Sequence, residues 1–561
     1  MSVASKNSFS NPVDVLIVGA GPVGLTLSNL LALRGIKGVC VDKLDEGHSF
    51  PRAISLDNDA LRIFFQLGFS EKDFNFLHLN EVNFFSSFFG KLLTLNMSGS
   101  FDTFPKLISF YQPEIERKLK EKLYSYKNFQ LLYKKNLTSY RYKDHYYEVF
   151  LEGEKGQTHV INCTYLIGAD GAHSLVRRLE NLDFEFLKNY EDNWLILDTF
   201  KKNKLTSKNK VTFYCDFNKP CPSIPAPGGR HRFEFRLGSG KNIQSQIENG
   251  PWENFFNQNK LKENRGEGGL DNNFTIERKA IYQFKACTAK SFQNQGVFLV
   301  GDSAHLTPPF AGQGLVSGLK DVLNLGWKLE YSIKGKLSEN ILKTYTLERK
   351  PLVKKVIRLA MIAGYIASPK TRISSFIGQG FLFFISNLPL LKGFIKDFQF
   401  KPDNRIKKGF LVRNNLIERS FAGKQFPSVW LREPYNLKKV RSDSLFKGAF
   451  CLFCLDLDPQ ITFCEGTLKR WLDWGGKIVF IKKLKDFKNK KNFKKNNSFY
   501  DCKKSIWIDE EEKLSSFAGN SSHLFIVRPD FIIFNSGRGK EPGRGDSFIK
   551  ESLSFLEKKC D

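Results

Sequence analysis

The residues closest to chemistry lie near the start of the chain, in Gly19-Ala20-Gly21-Pro22-Val23-Gly24. This spacing suits a turn that binds a dinucleotide. The first glycine allows the tight turn, the second lets a pyrophosphate reach the backbone, and the third permits close helix packing. A helix starting there offers free amides and the positive end of its dipole to phosphate. Asp42, with Lys43 beside it, follows at about the 20-residue interval expected of an acid that binds a ribose hydroxyl. Two later segments place an acid after a buried apolar run. One is Asp170-Gly171 in GADGAHSLVR. The other is Gly301-Asp302 in GDSAH, which continues through Pro308, Pro309 and Gly312-Gln313-Gly314-Leu315. Each alone reads equally well as a helix cap; specificity lies in the three together, in this order.

Groups able to move a proton are harder to select. His48, His305, Tyr214 and Asp57 are candidates by location only, and His305 belongs to the GDSAH segment and reads as structural. Arg232 could pair with a substrate carboxylate or form an ordinary ion pair on a strand. The eight histidines show no HExxH or comparable ligand spacing, so no metal site is expected. Cys451 and Cys454 form a CxxC, which is reactive where it opens a helix. The surrounding GAFCLFCLDLDP reads instead as a strand, on which residues three apart point to opposite faces, so buried, inert thiols are expected. The ten cysteines are scattered and suggest no disulfide framework.

The elements that must position these residues follow from apolar patterning. Residues 13–24 are a β-rich run ending in glycines, 25–34 read as helix and 38–42 as a second strand, a parallel β–α–β unit. A helix is expected over 107–126 and strands around 129–160. The middle third, 194–281, alternates short strands with polar turns in the manner of an antiparallel sheet. Residues 297–305 return to a buried strand, and a long helix follows over 314–333. The most membrane-like stretch, 376–391, is interrupted by glycine, asparagine and proline. It is too short to span a bilayer and reads as a buried or amphipathic helix, with a membrane-surface role as the alternative. Beyond 404 a new run of strands begins, 524–534 is strand-like, and a last helix is expected over 547–559. A chain of 561 residues suggests roughly three domains.

An apolar content of 41% excludes wholesale disorder. The formal charge of +28 invites a polyanion as partner. Much of its local density falls in the tract 482–504, which has no arginine and lies between predicted strands, so a solvated loop is expected and no nucleic-acid site. Residues 1–12 carry no apolar run that could act as a signal peptide. A cytoplasmic protein with no stable membrane insertion is therefore expected.

Taken together, the three loops resemble those of the FAD-dependent aromatic hydroxylases of the para-hydroxybenzoate hydroxylase type. The likeness is greatest to the 3-(3-hydroxyphenyl)propionate hydroxylase and phenol hydroxylase branch, and it covers nearly the whole chain. It implies an α/β fold with a Rossmann-like FAD-binding domain (1–185 and 291–404). Into this are inserted an antiparallel-sheet substrate domain (186–290), and AGKQFP and FIVRPDFIIF resemble a thioredoxin-like C-terminal domain (405–561).

By this resemblance Gly19, Gly21, Pro22, Val23 and Gly24 would hold the pyrophosphate and Asp42 the adenosine ribose, with Lys43 also on the cofactor. Arg52 of FPRAISL would lie beside the phosphates, and Gln112 of FYQPEIERKL would contact FAD. Asp170 and Gly171 would serve both FAD and NAD(P)H. Asp302, after Gly301, would bind the ribityl chain. Pro309 and the amides of Gly312, Gln313, Gly314 and Leu315 would face the isoalloxazine, and carbonyls at Pro308 and Pro309 could face the ring being oxidised. Val316 stands where the family commonly has asparagine, so a side-chain hydrogen bond near the flavin would be lost. The implied activity is hydroxylation of a phenolic or other aromatic substrate with O2 and NADH or NADPH, through a flavin hydroperoxide, by a homodimer. Alternatives are epoxidation or ring oxidation of a natural product, or a flavoprotein scaffold without turnover.

Overall fold

The computed structural model describes residues 12–45, 51–201, 209–237, 275–388, 404–412, 421–434, 438–483, 506–538 and 544–557. His48 and most of the basic tract lie outside the described residues. The architecture is mixed α/β, with three large sheets.

The first sheet explains why the three motif loops matter together. β1 (Val13–Val18) leads through α1 (Pro22–Leu33) to β2 (Gly38–Val41), which lies parallel to it with Val15 opposite Gly38. On its other side β1 pairs in parallel with β3 (Thr158–Gly168), Val18 opposite Gly168, and β3 pairs in parallel with β4 (Val297–Leu299). The glycine turn, Asp170-Gly171 and Gly301-Asp302 therefore emerge side by side at the carboxyl ends of adjacent parallel strands, where α/β sheets bind ligands. The helix α2 (Gly314–Ile333) forms over the span expected of it and packs against α1, and α3 (Thr344–Ala367) follows. The helix expected over 107–126 begins only at Gln112. Leu107–Ser109 is instead a strand paired with Ser55–Asp57.

The second sheet is built on two long strands, Phe184–Phe200 and Thr275–Ala289, with Trp194 opposite Tyr282. Arg230–Arg236, Cys221–Pro225 and Lys210–Cys215 continue it antiparallel. The next strand, Glu81–Ser86, comes from far earlier in the chain and lies parallel to Lys210–Cys215; Gly90–Asn96 closes that edge. Local pattern could not reveal this recruitment, because nothing in residues 81–96 announces a partner more than a hundred residues away. Alternation along the strands sorts side chains to two faces. Leu195, Leu197, Cys221, Phe233 and Phe235 form a separate small core on one face. Ile196, Phe213, Ile224, Arg232 and Glu234 line a cavity on the other.

The third sheet contains Ile506–Asp509, Lys477–Lys483, Cys451–Leu455, His523–Val527 and Ile533–Gly537 in that spatial order. The single run expected over 524–534 is a hairpin, turning at 528–532 with Phe531 at φ 64°. Cys451 and Cys454 are both buried on their strand, and burial pushes the Cys451 thiol up. This body is tied to the first by fully buried charges. Arg528 donates to Glu348 at 2.8 Å, and Lys328 reaches the same carboxylate at 2.9 Å. Arg62 grips Asp443 through its Nε at 3.0 Å. Among the described residues no helix is long and apolar enough to cross a membrane.

Candidate active-site cleft

Above the carboxyl ends of β1, β3 and β4 runs one cleft made of two cavities of about 520 and 1070 Å³. They share Gly21, Pro22, Arg52, Gln112 and Gly171 at their junction. The smaller cavity is also lined by Gly19, Asp42, Lys43 and Asp170. The larger adds Val23, Asp302, Pro309, Gly312, Gly314 and Leu315. Residues separated by almost 300 positions are thus brought to one continuous space. Gly24, Gly301, Gln313 and Pro308 belong to the same loops but line neither cavity.

Backbone geometry at the glycine turn is incompatible with side chains. Gly19 has φ 111°, and a Cβ on Gly24 would collide with the Gly19 carbonyl. Gly21, by contrast, opens onto space, so its backbone can be approached closely. It caps α1, whose first turn carries no acid to compete with a phosphate. Asp42 accepts the Ala20 amide at 2.7 Å and the Leu44 amide at 2.9 Å. It therefore braces the turn and retains lone pairs toward the cavity. Gln112 accepts the Arg52 and Ala53 amides, both at 2.9 Å, and so clamps the segment that brings Arg52 to the cleft.

Asp170 does serve as a helix cap, accepting the Leu175 amide at 2.7 Å. Its Oδ1 is buried with no hydrogen-bond partner among the described residues, and burial raises the carboxyl. The Gly301-Asp302 turn is held from behind. The Gly301 amide donates to Asp321 at 3.1 Å, Asp321 faces His305 Nε2 at 2.7 Å, and Arg349 Nε donates to its other oxygen at 2.8 Å. His305 is buried in this network and does not line the cleft, so its part is structural. Asp302 lines the larger cavity, where burial raises its carboxyl against the pull of His305 and Arg52. Asp57 caps the helix Asn58–Gln66 and accepts from the Gln313 side-chain Nε2 at 3.1 Å, locking that loop. Val316 is fully buried in the main core and does not line the cleft.

Two weak candidates are relocated by strand geometry. Tyr214 packs against the small core on the far face of the second sheet, whereas its neighbour Phe213 lines the cavity. Arg232 does line it, but its donors are largely spent. It binds Asp198 at 2.7 and 3.1 Å and the carbonyls of Arg52 and Pro51 at 2.6 and 2.8 Å. It is a buried rivet between sheet and cleft wall, the ion-pair alternative carried into the interior. Sequence reasoning missed Glu234, two residues further on the same face. It is buried at the cavity floor, and desolvation, opposed by Arg232 and reinforced by Asp198, pushes its carboxyl up to about 7. The only available signal was its alternation with Arg232.

A side-chain-free glycine turn, an acid at the distal end, an unpartnered carboxylate oxygen at Asp170 and a cavity running unbroken to Asp302 and Gly314 fit FAD. Fold and cleft together define an FAD-binding oxidoreductase. Residues 12–360 match the FAD binding domain family, and the chain belongs to that family. Its relatives and fold neighbours are flavoprotein monooxygenases of the hydroxylase kind. The chain is 28% identical, over 94% of its length and 92% of the relative's, to a 3-(3-hydroxy-phenyl)propionate/3-hydroxycinnamic acid hydroxylase of Escherichia coli strain SMS-3-5. Its fold matches the flavin-dependent monooxygenase PieE, solved with FAD and substrate, at a TM-score of 0.73 and 18% identity, covering 98% of this chain and 99% of that one. Aklavinone-11 hydroxylase, solved with FAD and aklavinone, matches at a TM-score of 0.71 and 18% identity with the same coverage.

Proposed function

We propose that this enzyme hydroxylates a phenolic ring with O2 and NADH or NADPH, the ring lying between the Asp302–Gly314 wall and the second sheet. The observation that carries this reading is the two-sided larger cavity. Loop residues Asp302, Pro309 and Gly314 line one side, and Ile196, Phe213, Ile224, Tyr282 and Phe284 line the other. When bound, FAD would supply the redox chemistry, passing electrons of the nicotinamide to O2, which is the source of the transferred oxygen atom. The chain does the rest. Gly19, Gly21, Pro22 and Val23 seat the pyrophosphate while Gly24 lets the helix pack close behind them, Asp42 and Lys43 hold the adenosine end, and Arg52, Gln112, Asp170 and Gly171 the middle. Asp302 takes the ribityl chain, and the backbone at Pro309, Gly312, Gly314 and Leu315 faces the flavin ring. The aromatic floor orients the substrate and excludes water. The Glu234 carboxylate receives the proton of the ring hydroxyl, which makes the ring more electron-rich as it reacts.

One observation favours a larger substrate. Aklavinone-11 hydroxylase, solved with FAD and the fused-ring phenol aklavinone, shares this fold, so a fused-ring phenol is a second reading. The remaining parts of the proposal concern organisation. The second sheet serves as the substrate domain. Among the described residues the β-α-β-β-α-β-β-α order from Cys451 onward, with its first three strands parallel and the last two antiparallel, supports a thioredoxin-like C-terminal body. A cytoplasmic homodimer completes the reading.

The test is direct. The purified protein should be yellow, and NADH or NADPH oxidation should accelerate with simple phenols, phenolic acids or fused-ring phenols, giving a product heavier by one oxygen atom. Flavin without stimulation by any of the three classes would refute the phenolic reading, and stimulation by fused-ring phenols alone would select the second.

A further inference from the structure

The helix α4 (Arg372–Asn387) is inside out. Ser375 and Gln379 are buried, and Gln379 donates to the Cys215 carbonyl at 2.6 Å while accepting from Ser86 at 2.6 Å. Ser386 is tied to the Leu92 carbonyl at 2.7 Å. The large apolar residues point the other way: Ile373, Phe376, Ile377, Phe381 and Phe384 are 55–73% exposed. An ordinary surface helix buries its apolar stripe and shows its polar one; here the hydrogen bonds into the sheet fix the reverse orientation. Phe88 and Phe89, at the tip of the neighbouring hairpin, extend the patch. Phe89 lies 5.2 Å from Phe376 and 5.7 Å from Phe383 between ring centres. Contiguous exposed apolar surface of this kind marks a docking face.

The charges around it select the occupant. Lys91, next to the hairpin tip, and Lys370 and Arg372, at the start of the helix, are exposed, with Arg372 set over Phe88 at 5.8 Å. No aspartate or glutamate occurs anywhere in residues 349–388. A second copy docking here would set two basic rims against each other. An anionic bilayer satisfies both parts, aromatic side chains entering the headgroup boundary while lysine and arginine meet the phosphates. With no helix able to cross a membrane among the described residues, such contact would be interfacial. We propose that α4 and the Phe88–Phe89 hairpin tip form a docking surface for anionic phospholipid membranes.

The experiment uses the full-length, FAD-loaded protein and sedimentation with vesicles of phosphatidylcholine, alone or with about one-third phosphatidylglycerol. The expected result is binding to the anionic vesicles that weakens as salt is raised. The variant Ile377→Ser/Phe381→Ser/Phe384→Ser should reduce binding about tenfold or more, with flavin content unchanged because these side chains face solvent. Lys370→Glu/Arg372→Glu, which leaves the apolar face whole, should also reduce it and guards against misfolding of the first variant. Absence of binding to anionic vesicles, or binding by the variants equal to that of the parent, overturns the proposal. So does concentration-dependent self-association that the serine variant abolishes, which would make the face a contact between copies.

Discussion

Glu234 offers the sharpest test of the cavity floor. The perturbation is Glu234→Gln, which preserves shape and removes the charge. Burial moves this carboxyl from 4.5 up to about 7, with Arg232 pulling down and Asp198 pushing up. At about 1.4 kcal/mol for each tenfold change in an ionisation constant, the buried charge costs about 3 kcal/mol. The sign follows from proton binding. Between pH of about 4.5 and about 7 the folded chain holds a proton that the unfolded chain has lost, so this group's contribution to stability falls as pH rises, then levels off. Glutamine never ionises. The variant should match the parent in stability near pH 4 and exceed it by up to about 3 kcal/mol near pH 8. Urea unfolding at the two pH values, followed by tryptophan emission (Trp194 lies on the same sheet), measures the gap. A gap that does not change with pH, or a variant less stable near pH 8, would refute the placement of the carboxyl in a desolvated floor. The same variant carries the kinetic side. If the carboxylate takes the substrate proton, kcat/KM should rise with pH through about 7 in the parent. In the variant it should lose that rise and fall about 100-fold.

Other outcomes follow from the same geometry. Asp302→Ala should leave the purified protein largely without FAD, read from its visible spectrum; full occupancy would remove the role proposed for this acid. Tyr214→Phe should change turnover less than twofold, because it removes a hydroxyl on the far face of the sheet, whereas Phe213→Ala should raise KM by tenfold or more. Arg528→Met should lower stability by about 3–5 kcal/mol, since it leaves Glu348 and Asp530 buried beside Lys328 alone. Thermal unfolding of the FAD-loaded protein reads this as a large fall in Tm.

Much of this protein was legible as sequence, because its most informative features are local. A glycine that must adopt φ 111°, another with no room for a Cβ, and an acid at a set distance are properties of a short segment and its immediate turn. So is the helix over 314–333, whose apolar period survives inspection unaided. Together with Asp170-Gly171 and Gly301-Asp302 these residues carry the family resemblance that implies FAD. Tertiary structure decided what depends on which surfaces meet. It aligned three loops at the ends of parallel strands, recruited Glu81–Asn96 into a sheet otherwise built after residue 184, and made a hairpin of a run that reads as one strand. It chose Phe213 over Tyr214 and exposed Glu234, because the face of a strand is set by register with neighbours distant in sequence. It also turned α4 outward, a choice made by the hydrogen bonds of Gln379 and Ser386 to the sheet and invisible in the helix's own composition. Local chemistry is written along the chain; which side of an element faces the cleft, the core or the solvent is settled only by what packs against it.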